Sequence, residues 1–547
     1  MDIFREYHEC IDRFICSRTR RAFVAAWVLL ATMLALVGAA FFWMGAPPMA
    51  TLICKDTPCF LDGGWRIFNG QTPHKDFYDY LGDLPFYVAW LGMKLGRHGV
   101  SALTCGNVFV MAPTGFAAMI LLQRRTSAFY AFMFSLFVAL LAVAPRWLGD
   151  PHDYTCYAMI YNRYGEAFLA LLGTVLFVPP EPALGKGWAD WAEGGFAGFC
   201  LPLLYFCKLN YFAVGIGFFG LACLLRRFPV KQTVFGLLSA AAFSGLALIL
   251  TKVPFSALCG DYRIMLGAQG TGGKLAHLAA QAVKGFPYFL ILLLLGWEIA
   301  RRGTEPKLAW RPFVLVTMIF GSEMLLAASN APIGEMAVPL LALAALYGAE
   351  IIRRQNRHLK EDSLFIALRN AGAALVLLLL LLPTLGPDLE SVRYSVRVTA
   401  QKAYVQPEPL RSTRLNDFRY TAAGIQVEQI SNYMATVSEG IQLLQKHASP
   451  NMRLAVFAWT DPFQVALGLI PAKGNVIGWS WSGMSQRSHP PLERMVGNAT
   501  HIMADRGCAD IATVYGTEWA DALHLEVVEQ TRHFTLFKVP EDKQRKF

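Results

Sequence analysis

The sequence predicts a polytopic α-helical membrane protein whose C-terminal part is a soluble α/β domain. Three observations predict it. The chain has 547 residues, 55% hydrophobic and only 16% charged, with a mean hydropathy of +0.38, whereas a soluble globular chain carries about 25% charged residues. Apolar runs at 22–46, 101–122, 129–145 and 371–385 each approach the roughly 20 residues that span a hydrocarbon core. From Gly386 onward the composition changes and short strand-like runs begin.

Basic clusters order the spans, because Lys and Arg collect in the cytoplasmic loops of membrane proteins. Arg13, Arg18, Arg20 and Arg21 precede the first span, 22–46, and place the N-terminus inside. That run is too long for a signal-peptide core and no convincing cleavage site follows it, so it reads as a retained span. Residues 84–95 form an amphipathic piece of about 12 residues, about 18 Å of helix, too short to cross; it is expected to lie in the outer interface. The chain then runs inward over 101–122 to Arg124 and Arg125, outward over 129–147 to Asp150, His152 and Asp153, and inward over 164–178. Segments 188–207 and 211–225 form a hairpin with Lys208 and Asn210 at its outer tip and Arg226, Arg227 and Lys231 inside. Next, 233–250 leads out to a loop over 251–285. Segment 286–300 returns to Arg301, Arg302 and Lys307, 313–328 exits, 335–352 re-enters to Arg353, Arg354, Arg357 and Lys360, and 371–385 leaves. The total is about 11 spans, with every strong basic cluster on one side.

This bookkeeping gives a transmembrane domain over 1–385 and an extracytoplasmic domain over 386–547, periplasmic if the cell has an inner membrane. In the tail, 454–458 reads as a buried strand, 463–469 as a helix, and 501–504 and 534–539 as further strands. About 160 residues are enough for a core of their own.

The formal net charge of +10 does not mark a nucleic-acid binder. Its Lys and Arg sit between apolar runs and form no stripe on a soluble domain. No Walker loop and no GxGxxG after a strand occur, and Gly270-Thr271-Gly272-Gly273-Lys274 lacks the Walker spacing. No Cys or His spacing resembles a zinc site. Most Cys lie in apolar runs as small hydrophobes. Cys54 and Cys59, in a loop placed outside, are expected to pair, since disulfides persist in oxidising compartments.

The first outer loop is the most informative segment. It runs Phe60-Leu61-Asp62-Gly63-Gly64-Trp65-Arg66-Ile67-Phe68-Asn69-Gly70-Gln71-Thr72-Pro73-His74-Lys75-Asp76-Phe77-Tyr78-Asp79-Tyr80-Leu81-Gly82-Asp83-Leu84-Pro85-Phe86. Acidic, aromatic and glycine residues at the exit of a span suit a site reached by one hydrophilic and one lipidic substrate. Asp62 is equally explained as the N-cap of a helix beginning at Gly63. The order Asp-Gly, Gly-x-x-Pro, x-x-Asp-Phe, Gly-x-Leu-x-Phe resembles the first outer loop of the GT-C superfamily. That superfamily includes protein O-mannosyltransferases, aminoarabinose transferases and bacterial polyprenyl-phosphate-sugar glycosyltransferases. The likeness covers roughly 1–385 in layout and 62–87 in motif. It departs at Gly63, where many members have Glu, and at Asp83, where they have Pro.

The resemblance implies a GT-C-like catalytic domain that moves a sugar from a polyprenyl-phosphate-linked donor to an extracytoplasmic glycan, lipid or protein acceptor. It implies inversion, with Asp62 as general base. The leaving phosphate needs positive charge. Lys208 is the first candidate, because a lysine in an apolar hairpin costs about 2.5–3.5 kcal/mol at the midplane and tends to be functional; snorkelling to headgroups is its plain alternative. Arg163 and Arg263 are further phosphate candidates, against an interfacial anchor and an ordinary loop cation. Asp150 and Asp153 suit an acceptor or a divalent cation through oxygen ligands, as do Asp76 and Asp79 in the first loop; a solvated loop explains them too. Trp479 and Trp481 could stack on sugar or pack the small domain. No cofactor is named by any motif.

A transporter or flippase is the competing class. Transporters keep ionisable residues near the midplane and often show paired repeats, whereas most acidic residues here fall in outer loops and no repeat relates the halves. A non-enzymatic assembly protein needs fewer spans.

Overall fold

The computed structural model describes residues 14–181, 187–268, 274–302, 309–330, 338–357, 363–479 and 483–544. The chain is a polytopic helical membrane protein with a C-terminal α/β domain. Its helices are α1 (Arg20–Met44), α2 (Thr57–Phe68), α3 (Leu84–Lys94), α4 (Val100–Gln123), α5 (Ala128–Leu141), α6 (Ile160–Phe177), α7 (Trp188–Cys207) and α8 (Leu209–Leu224). Then come α9 (Val230–Thr251), α10 (Phe255–Ala268), α11 (Lys274–Arg301), α12 (Arg311–Asn330), α13 (Pro339–Asn356) and α14 (Ser363–Ala400). Six of them, α1, α4, α9, α11, α12 and α14, are long and apolar enough to cross a membrane. With α5, α6, α7, α8 and α13 they occupy the places of all the expected spans, and the short α3 falls on the expected amphipathic piece.

Burial separates two kinds of helix. Helix α1 starts at Thr19, whose hydroxyl accepts from the Ala22 N–H, and it buries Leu30, Leu34, Val37 and Phe41. Its opposite face exposes Val24, Val28, Leu36 and Trp43. In α9 only Gly236 is buried, while Leu237, Leu238, Ile249 and Leu250 are exposed. Apolar side chains exposed in such number belong against lipid. By contrast α5, α6 and α13 are buried almost all round, the mark of helices at the centre of a bundle. The bundle end that carries the basic clusters is laced by charge: Arg125 bonds Glu193 at 2.7 Å, Arg353 bonds Glu350 at 2.6 Å, and Glu181 meets Arg18 and Arg357.

Four expectations need correction. Cys54 and Cys59 are both free thiols. They stand five residues apart along a 3-10 turn that runs into α2, which turns their side chains to different sides of the helix. Asp62 is not an N-cap: α2 begins at Thr57, with Asp56 at the N-cap position and Pro58 in the first turn, where proline is at home. Helix α14 does not stop near Gly386 but carries on through Pro387 to Ala400. The expected loop 251–285 instead holds α10 and the start of α11.

The tail folds around a five-stranded sheet: β1 (Arg453–Phe457), β2 (Ile470–Pro471), β3 (His501–Asp505), β4 (Glu526–Gln530) and β5 (Phe534–Lys538), in the order β2-β1-β3-β5-β4. Strand β1 is parallel to β2 and β3, with Leu454 opposite His501, and β5 is antiparallel to β3 and β4. Helices α15 (Val427–His447) and α16 (Phe463–Leu467) pack on it. The sheet docks on the first loop. The Tyr78 N–H donates to the Asn475 carbonyl at 2.8 Å, the Gln71 amide to the Pro471 carbonyl at 2.8 Å, and Met49 and Arg419 share a backbone bond of 2.9 Å.

Candidate active site

Helix α2 lies between the bundle and the sheet, and its Asp62 faces inward. Asp62 and Arg66 are both fully buried and form an i,i+4 ion pair at 2.9 Å. Arg66 also donates to the Ala472 carbonyl at 2.9 Å. Asp461, just after β1, adds a second carboxylate beside the pair. Burial pushes Asp62 up against the pull of Arg66, and burial with Asp62 pushes Asp461 up to about 7. The two glycines after Asp62 are packing residues: a Cβ on Gly63 would come within 2.4 Å of Phe86, and one on Gly64 within 2.8 Å of Ala89. The Asp-Gly-Gly run therefore lets α2 lie close on α3.

A further acid, Asp56, is half-buried at the foot of α2. Its Oδ1 accepts from the Trp459 indole N–H at 3.3 Å, and the Lys55 ammonium lies 4.6 Å from the Trp459 ring centre. Burial raises the Asp56 carboxyl, while Trp459 and Lys55 lower it. Asp56 is within electrostatic reach of Tyr161 at the start of α6. On that same tyrosine ring sits the Lys208 ammonium, 4.9 Å from its centre. Lys208 occupies the extended residue that breaks α7 from α8. One tyrosine thus carries the Lys208 ammonium on its ring and feels the Asp56 carboxylate.

A second cluster adjoins the first through Gly82, where a Cβ would fall 2.5 Å from the Cys207 carbonyl, next to Lys208. His74, in left-handed backbone at φ 64, reaches Asp261 at 3.0 Å through Nδ1 and Asp83 at 3.2 Å through Nε2. Arg494 from the α/β domain clamps Asp261 at 2.8 Å and the His74 carbonyl at 2.8 Å. Burial by itself lowers the imidazole, but Asp83 and Asp261 overrule it and hold it at about 10. Asp79 is pushed up to about 7 by burial and by Asp83, against His74 and the Leu81 and Gly82 N–H groups. Ligand atoms of His74, Asp79 and Asp83 lie within 4.8 Å of one another. His74 Nε2 and Asp83 Oδ1 have only each other, and Asp83 Oδ2 is buried without a hydrogen-bond partner. One imidazole and two carboxylates fit a divalent cation such as Zn²⁺ or Mn²⁺.

The other expected residues go elsewhere. Asp76 caps its own loop, accepting from the Thr72 N–H at 2.8 Å and pairing with Lys473 at 3.1 Å. Asp150 is buried, with its carboxyl raised to about 6 by burial against the pull of Arg146, and Asp153 is half-buried in the same loop. Arg163 is fully buried, bonded to Asp388 at 2.6 Å and to the carbonyls of Leu140, Leu141 and Arg146. Arg263 is exposed on α10. Trp479 is buried against Phe457, their rings 4.7 Å apart, while Trp481 lies outside the described residues. Of the expected set, then, Asp79 and Lys208 enter the two clusters. Asp56, His74, Asp83 and Trp459 were missed. Asp56 had a signal, being the first acid after the first span; Trp459 and Arg494 had none.

No family model and no curated protein matches the sequence. Among solved structures, the chain is similar to ArnT from Cupriavidus metallidurans bound to undecaprenyl phosphate, at 11% identity and TM-score 0.48 over 95% of this chain and 99% of that one. It is also similar to the apo form of that protein, at 12% identity and TM-score 0.42 over 96% and 100%. At such identity no residue here takes a role from either.

Proposed function

We propose that the protein is a glycosyltransferase that uses a polyprenyl-phosphate-linked sugar as donor and an acceptor hydroxyl on the side of the α/β domain. One arrangement supports the reading: the Lys208 ammonium lies 4.9 Å from the centre of the Tyr161 ring, the Asp56 carboxylate acts on the same tyrosine, and Asp56 is bonded from the α/β domain by Trp459. The acceptor hydroxyl attacks the anomeric carbon as its proton passes to Asp56, and the bond to the phosphate oxygen breaks on the opposite face. Polyprenyl phosphate leaves with the electron pair, and the configuration inverts. Lys208 stabilises its charge as it forms. Exposed Arg263 offers a second contact for the phosphate. Arg163 is assigned to holding α6 on α14 through Asp388, and Asp62 to tying α2 to the sheet. Asp150 and Asp153 remain on the acceptor side. A divalent cation held by His74, Asp79 and Asp83 would supply further positive charge beside the donor. The reading takes the N-terminus as cytoplasmic and the α/β domain as outside, with the basic clusters in support.

A flippase has one observation in its favour: Glu166 on α6 and Glu323 on α12 are buried inside the bundle, where ionisable residues often mark a transport path. The purified full chain, reconstituted in liposomes with labelled polyprenyl-phosphate hexoses and pentoses, separates the two. Transfer of label with release of free polyprenyl phosphate is expected. Donor moved intact between leaflets would replace the enzyme by the transporter.

A further inference from the structure

The turn that follows β1 delivers two side chains to the first loop: Asp461 to the buried Asp62–Arg66 pair and Trp459 to Asp56. We propose that Trp459 is a positioning residue for Asp56, so that the membrane domain holds an incomplete acid–base site until the α/β domain is in place. The inference rests on Asp56 being the base.

An indole N–H is a donor only and does not titrate. Set 3.3 Å from Oδ1, it holds one carboxylate oxygen in a fixed direction and favours the ionised form that can accept a proton. Across its face lies Lys55 at 4.6 Å, a cation–π contact that keeps the ammonium beside the carboxylate. The other groups that sense Asp56 come from every neighbouring element. They are Cys54 before α2, Cys59 on α2, Cys156 ahead of α6, Tyr161 on α6 and Tyr433 on α15. All five are neutral at ordinary pH. Among these described residues Lys55 is the one cation acting directly on Asp56. Trp459 therefore does two jobs from another domain. It orients the base and seats the charge that keeps the base ionised.

The test uses the full-length chain in lipid nanodiscs with labelled polyprenyl-phosphate sugar, reading kcat, KM and the pH profile. Trp459→Phe keeps a ring for Lys55 but loses the N–H. We expect kcat to fall about tenfold with the donor KM unchanged, and the acid limb of the kcat profile to move up by about one pH unit. The sign follows from the chemistry: a carboxylate that loses a donor holds its proton to higher pH. Lys55→Met is the second variant, half-exposed and tolerant, and should move the limb the same way. Wild-type kcat and an unmoved limb in both variants overturn the inference. Asp56→Asn separates the two levels. An inactive Asp56→Asn beside an unaffected Trp459→Phe removes only the role of Trp459, whereas a fully active Asp56→Asn removes the base itself and this inference with it.

Discussion

At the scale of single residues, two acids six positions apart in sequence and alike in chemistry, Asp56 and Asp62, meet different surroundings. Asp56→Asn keeps shape and loses charge, so turnover should fall by about 10²–10⁴, the usual share of a general base, with the unfolding temperature in detergent unchanged. Asp62→Ala should do the reverse. It leaves Arg66 buried without its partner, at about 3–5 kcal/mol of stability, while the enzyme that still folds keeps its turnover; a stable but inactive Asp62→Asn would return the base to Asp62. Asp150 gives a pH signature. Its folded pKa, raised to about 6 by burial, lies above the unfolded value near 3.9. The folded form therefore binds more protons between those values, and its stability drops as pH rises from about 4 to about 6. Asp150→Asn should flatten that slope and raise the unfolding temperature at neutral pH. Little of this was legible beforehand. Charge and spacing show that a loop is acidic, but only the fold shows which carboxylate lies against Arg66 and which against Trp459.

Among the elements, long apolar helices were read from sequence with small errors, because lipid imposes length and composition on them directly. Helix α2 escaped notice because its twelve residues hold Pro58, Gly63 and Gly64, poor helix formers by propensity, and owe their shape to contact with α3 and the sheet. The extension of α14 past Gly386 hid behind Pro383 and Pro387 inside the helix, which sequence rules treat as stops. Packing of α2 on α3 gives a test. Gly63→Ala would push a methyl against Phe86 and should cost about 1–3 kcal/mol, read as a lower unfolding temperature. Gly82→Ala meets the Cys207 carbonyl in a backbone at φ 135. Shifting that contact moves Lys208, so the donor KM should rise more than kcat falls; equal effects on both would mean that the loop reaches the base instead.

For the whole molecule, the orientation is testable apart from any activity. Reporter fusions at Arg125, Arg302 and Arg357 should report cytoplasm and one at Phe547 the outside; a cytoplasmic Phe547 would reverse the side on which Asp56 lies. The existence of an α/β tail was plain from continuous apolar runs such as 454–458, yet its docking on the first loop was not. Tyr78 pairs with Asn475 and Asp56 with Trp459 across some 400 residues of chain, and no local pattern encodes a contact at that distance. The same separation sets an order of events during synthesis. The loop that carries Asp56 leaves the ribosome soon after the first helix, while its partners follow only when most of the chain has been made. Until then Arg66, Gln71 and Tyr78 lack the carbonyls of Ala472, Pro471 and Asn475 that they bond in the finished fold.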